Sequence, residues 1–153
     1  RADWLSEIVT MVIESSIVEE RKNMVAFGFT LTGFDEKEPG ASTNQERIEA
    51  MRELHDMGFR TFASIEPIIA PARSLRMIEA TKGFCDLYKV GLISGKGKNF
   101  YERSKIFRMY GWLYGLADKG LKIYLKDSFL EYIDILRYQL SENFVNSDYN
   151  IFG

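Results

Sequence analysis

Four strand-like runs, starting near residues 24, 60, 85 and 121, are each followed by a stretch of helical spacing. Side chains alternate with period two along the first kind of run and recur at three and four residues along the second. A βα unit repeated about every 30 residues demands parallel strands with right-handed crossovers, because a tight hairpin cannot reach a parallel neighbour. The chain is therefore α/β. A doubly wound sheet and a slice of a β/α barrel both satisfy the repeat.

The strand faces choose between them. In the first strand Val25, Phe27, Phe29 and Leu31 point one way, and Ala26, Gly28, Thr30 and Thr32 the other. In Arg60–Pro67, Phe62, Ser64 and Glu66 oppose Thr61, Ala63, Ile65 and Pro67. In Cys85–Ser94, Leu87, Lys89, Gly91 and Ile93 oppose Tyr88, Val90 and Leu92, and in Leu121–Lys126, Lys122, Tyr124 and Lys126 oppose Leu121, Ile123 and Leu125. A doubly wound sheet is covered by helices on both faces and reads apolar on both. Here one face carries Thr30, Thr32, Ser64, Glu66, Lys89, Tyr124 and Lys126, which suits the interior of an open barrel. The expectation is parallel βα repeats forming part of an open β/α (TIM-like) barrel over residues 1–142, with an irregular tail over 143–153.

Helix signals punctuate the strands. Asp3 can cap a helix over Trp4–Glu20 with a stripe of Leu5, Ile8, Val9 and Val12. After the acidic loop Gly33–Ala41, either Ser42 with Gln45 or Thr43 with Glu46 offers a capping box. That helix carries Ile48, Met51, Leu54 and Met57 and stops at Gly58. Further helices are expected over about Arg73–Thr81, after Asn99 (capping with Glu102) as far as Gly120, and after Ser128 (boxed with Glu131) along Phe129, Ile133, Leu136 and Leu140.

Composition narrows the function. A length of 153 residues fits one domain with a real core. The net charge of -2 argues against a broad nucleic-acid surface. Cys85 is the sole cysteine, which rules out an internal disulfide and a cysteine cluster within the chain. No apolar run reaches the roughly 18 residues of a membrane span. The opening Arg1-Ala2-Asp3 is neither an initiator Met nor a signal peptide, and it reads as the cut end of a longer cytoplasmic protein.

Glu66, at a strand end on the polar face and followed by Pro67, is the sharpest candidate. A carboxylate there can bind a ligand amine or hydroxyl, or act as a base once burial raises its pKa. Alternatively it pairs with Lys89 or Lys126. Those lysines can meet a carboxylate or phosphate, or snorkel along the wall. Thr30 and Thr32 can hydrogen-bond a polyol, and Thr is also a common strand residue. The loop Gly95-Lys96-Gly97-Lys98-Asn99 departs from the P-loop pattern and reads as a solvated turn. His55 reads as a surface residue, and Asp35, Glu36 and Glu38 as a solvated acidic loop rather than a metal site. Trp112 and Tyr114 stand out as a possible partner face on an aromatic-rich helix.

The stretch Phe29-Thr30-Leu31-Thr32 through Ser64-Ile65-Glu66-Pro67-Ile68-Ile69 resembles the later half of a radical S-adenosylmethionine protein, in the branch that includes spore photoproduct lyase-like and related uncharacterised proteins. The shared pattern comprises Thr30 and Thr32, Glu38-Pro39-Gly40-Ala41, Glu46-Arg47-Ile48-Glu49-Ala50, Gly58, and Glu66-Pro67-Ile68-Ile69. It covers about residues 24–72, weakens over 85–127 and is absent from the tail. The resemblance implies a [4Fe-4S] cluster and S-adenosylmethionine as cofactors, with Thr30, Thr32, Ser64 and Glu66 on the cofactor side. Glu66, Lys89 and Lys126 are implied as catalytic. The family's three cysteines, spaced C-x3-C-x2-C, are missing here, so the implied partner is an upstream cluster-binding half. The substrate stays open among small molecule, peptide and nucleic acid. The rival expectations are a degenerate barrel half acting as a binding module and a small metal-free α/β enzyme.

Overall fold

The computed structural model describes residues 21–95 and 99–153, together with Glu7. The helix expected over Trp4–Glu20 and the core of the Gly/Lys loop, residues 96–98, lie outside the described residues. Among the described residues, four strands alternate with four helices: β1 (Ala26–Thr30), α1 (Asn44–Asp56), β2 (Arg60–Ile65), α2 (Pro71–Thr81), β3 (Leu87–Val90), α3 (Arg103–Asp118), β4 (Ile123–Leu125) and α4 (Asp127–Tyr132). The strands form one parallel sheet in the order β1-β2-β3-β4. Right-handed crossovers between strands laid down in sequential order bring successive helices to the same face. There α1 packs beside α2, and α2 beside α3.

The apolar strand residues meet those helices. Phe29, Ala63, Tyr88 and Ile123 form one row in register, and Ile65, Val90 and Leu125 the next. The second row is fully buried, as are Met51 of α1, Ile78 of α2 and Leu113 of α3. Each such side chain contributes about 1.5–3 kcal/mol by leaving water. The Tyr88 hydroxyl is satisfied inside this core by the Thr81 hydroxyl, at 2.8 Å.

Local chemistry sets the helix ends: one of the two capping boxes open to α1 forms as expected, and three later features depart from expectation. Thr43, not Ser42, caps α1: its hydroxyl accepts from the Glu46 N–H and the Glu46 carboxylate accepts from the Thr43 N–H, at 3.2 and 2.7 Å. Gly58, at φ +90°, ends that helix as its freedom in left-handed backbone allows. Asn99 does not cap α3. The chain between is tied down by Tyr101, whose hydroxyl donates to the Ile68 carbonyl and accepts from the Ile93 N–H, and the helix starts at Arg103. Ser128 does not cap α4; it lies within the helix and accepts from the Leu92 N–H at 3.1 Å. Nor does α4 run along its expected stripe. It stops at Tyr132, Asp134 takes a left-handed φ of 57°, and a 3-10 turn follows at Arg137–Gln139.

The two sheet edges are treated differently. The outward carbonyls of β4 are both covered by the segment 137–145: Ile123 O accepts from the Val145 N–H at 3.0 Å, and Leu125 O from Arg137 Nη2 at 2.9 Å. On β1 the outward groups of Ala26 and Gly28 face no described strand. Among the described residues, Thr30 O is engaged there by Arg47 Nη1 at 2.8 Å.

Candidate functional site

Parallel pairing aligns side chains of like parity, so the polar halves of the four strands converge on the face away from the described helices. Thr30 pairs with Ser64, Ser64 with Lys89, and Lys89 with Tyr124, giving one row across the whole sheet. Two residues further on, at the strands' C-terminal ends, come Glu66, Gly91 and Lys126. This is the end at which βα folds gather their chemistry.

Glu66 and Lys126 form an ion pair, half-buried on both sides. Of the two lysine partners open to Glu66 in the sequence, Lys126 takes it. Gly91 stands between their strands, and a Cβ there would lie 3.0 Å from both Glu66 Oε1 and Lys126 Cδ. The pair therefore rests directly on bare backbone. Lys89 goes elsewhere: its ammonium sits 4.4 Å from the centroid of the Phe62 ring, a cation–π contact. The Phe62 ring in turn lies across Gly28, where a Cβ would come within 2.2 Å of it. Phe62 so closes the lower end of the polar face, and the charged groups cluster above it.

One expected member is absent from that face. Thr32 is buried past the end of β1, where its hydroxyl donates to Glu38 Oε1 at 3.0 Å and accepts from the Phe34 N–H at 3.2 Å. It organises the β1–α1 loop instead. Each acidic residue in that loop has a partner: Asp35 accepts from the Asn44 N–H and side-chain amide, Glu36 pairs with Arg73 at 2.9 Å, and Glu38 pairs with Arg47. The loop is exposed at Asp35, Glu36 and Lys37, as expected, and its acidic side chains are also pinned. Its Glu36 carboxyl is held below the usual range chiefly by a backbone hydrogen bond, with Arg73 adding to it.

The structure adds a residue that sequence reasoning missed. Arg137 stacks its guanidinium 4.9 Å from the Tyr124 ring centroid, with Nη2 bridging Leu125 O and Asp127 Oδ1. It closes the β4 side of the polar row. No periodicity could have announced it, because it comes from the turn beyond α4. His55 is half-buried beside Phe84, with ring centroids 6.5 Å apart, and Trp112 is partly buried against the core while Tyr114 is exposed.

Cys85 fits no metal role. Its thiol donates to the Leu87 carbonyl at 3.3 Å, and burial pushes its pKa up to about 11. Among the described residues no group of three or more His, Cys, Asp or Glu could hold a metal ion. Nor, among them, is any helix long and apolar enough to cross a membrane.

No family model, curated protein or solved structure matches this chain. The chemical groups gathered at one place are the polar row, the Glu66–Lys126 pair above it and the two closures, Phe62 below and Arg137 beside.

Proposed function

We propose that this chain is the C-terminal half of the partial β/α barrel of a radical S-adenosylmethionine enzyme, acting in the cytoplasm. The observation that carries the proposal is the polar row Thr30–Ser64–Lys89–Tyr124 topped by Glu66 and Lys126 on the face away from the described helices. Strand order supports the barrel: it runs 1-2-3-4 without the reversal at which a doubly wound sheet changes faces. The edges support a direction of growth. With β4 covered by residues 137–145, further strands would join at β1.

The residues present do not fit a [4Fe-4S] cluster, which needs several thiolates, since Cys85 is single, half-buried and held protonated. The cluster would belong to an upstream half. The polar face does suit S-adenosylmethionine, with Thr30 and Ser64 offering hydroxyls to a ribose and Lys89 or Lys126 a cation to its carboxylate. When bound, that cofactor would supply hydrogen-atom abstraction chemistry to a substrate held on this face. The share of this chain is to orient the bound groups, to exclude water above Phe62, and to fix charge through Glu66 and Lys126.

The test uses the product of the complete reading frame, purified without oxygen. About four irons per chain, with 5′-deoxyadenosine released on reduction and lost in Glu66→Gln, is the expected result. An intact product without iron would sink the proposal and leave a barrel half that serves as a binding module.

A further inference from the structure

On the polar face of the sheet, side-chain hydrogen bonding stops at the row. Next to it polar heads are engaged: Glu66 with Lys126, Ser128 with the Leu92 N–H, and Arg137 with Leu125 O. The heads of the row are not. Thr30 Oγ1, Ser64 Oγ, Lys89 Nζ and the Tyr124 hydroxyl have no hydrogen-bond or ion-pair partner among the described residues. Ser64, Lys89 and Tyr124 are half-buried. Folded chains seldom gather polar groups on a sheltered surface and leave them unmatched, and convergent polar groups of this kind mark ligand sites.

Charge narrows the ligand. Of the two lysines on this face, Lys126 is neutralised by Glu66. Lys89 meets no carboxylate among the described residues. Its ammonium rests on the Phe62 ring, a contact that orients the charge without cancelling it. The ring is itself backed by Gly28, so Lys89 is seated on a fixed platform. Tyr124 is its partner in register on β4, about 4.8 Å away across the sheet. The far side of Tyr124 carries a second cation, with the Arg137 guanidinium 4.9 Å from the ring centroid. The carboxylate that pairs with Arg137, Asp127, is 75% exposed, where water screens it. Tyr124 thus stands between two ring-seated cations, and the charge of Lys89 is left uncompensated.

We propose that Lys89 and the Tyr124 hydroxyl form the anion subsite of this face, and that the substrate it takes is a small phosphomonoester. Phosphate oxygens accept from the ammonium and from the phenol. The double charge of the ester matches cations on both sides of Tyr124 better than the single charge of a carboxylate does. Thr30 and Ser64 are left for the ribose of S-adenosylmethionine, and Lys126 for its carboxylate. The subsite rests on the reading of this face as ligand-binding, and not on the radical chemistry.

Titration calorimetry on the 153-residue chain with glycerol 3-phosphate tests the assignment. Saturable binding with a Kd on the order of 1 mM is expected, and glycerate, with a carboxylate in place of the phosphate, should bind about tenfold more weakly. Lys89→Met should weaken the phosphate ester by about tenfold, as loss of one charge-assisted contact requires. Lys89→Arg, which keeps the charge and can stack on Phe62, should restore it. Lys105→Met, which removes an equal charge from the helical side of the sheet, should leave the affinity unchanged. Circular dichroism checks that each variant is folded. Absence of saturable heat up to about 20 mM ester overturns the proposal. So does equal affinity for glycerate, an equal loss in Lys89→Met and Lys105→Met, or tighter binding of an oligothymidylate, which would make the ligand a nucleic acid. None of these titrations involves iron or S-adenosylmethionine. Their failure leaves the iron measurement standing, and an iron-free full-length product leaves the subsite standing.

Discussion

Gly91 has no Cβ, and the space where one would stand is bordered by Glu66 and Lys126. Adding a methyl group forces the ion pair off its seat while leaving the core behind it intact. Gly91→Ala should therefore cost only about 1 kcal/mol of stability by urea unfolding. It should lower the activity of the complete protein as strongly as Lys126→Met does; an unchanged activity would count against the pair as functional. A second effect comes from Cys85 and Tyr88, whose acid groups are both pushed up by burial. The folded chain keeps protons that the unfolded chain gives up, so stability is full below the ordinary thiol value of 9.0 and is lost as pH rises from there toward about 11. Urea midpoints at pH 8 and pH 10 should show that fall, and Cys85→Ala should flatten it. At this scale the sequence disclosed which face each strand residue takes, because parity is a local property. It could not disclose that Lys126 rather than Lys89 meets Glu66, since that depends on Phe62 lying across Gly28 and drawing Lys89 to its ring.

At the scale of elements, strands and capped helices were legible wherever the signal was local. The Thr43–Glu46 box and Gly58 bound α1, and the alternation in Arg60–Ile65 returns as β2. What failed were the features that answer to distant partners. Phe129, Ile133, Leu136 and Leu140 are spaced like a helical stripe, yet α4 stops at Tyr132 and Leu136 is exposed. The chain bends there because residues 137–145 are needed at the edge of β4, where Arg137 and Val145 cover two carbonyls. Asn99 is likewise overruled by the anchoring of Tyr101. The edge contact itself can be tested. Val145→Pro removes the N–H that Ile123 O receives, and should destabilise the chain by about 1–2 kcal/mol. It should also raise concentration-dependent light scattering. A substitution without effect on either would mean the tail does not guard the edge.

At the scale of the molecule, the alternating array and its parallel sheet could be read from periodicity, whereas closure into a barrel is a property of strands beyond these four. No described strand pairs with the outer edge of β1, and beside it Met24 and Val25 are exposed. Unpaired strand edges with nearby apolar side chains template association. The isolated 153-residue chain should accordingly elute as a dimer or larger species in chromatography with light scattering. A stable monomer at tens of micromolar would argue against a half barrel. The guarding of β4 by residues 137–145 has a further consequence in time. During synthesis the strands emerge before the segment that covers them, so the far edge stays raw until residues 137–145 follow them out of the ribosome. A product that stops before residue 137 would retain most of its core and yet display a sticky border, a mark by which quality-control machinery could tell an unfinished chain from a finished one.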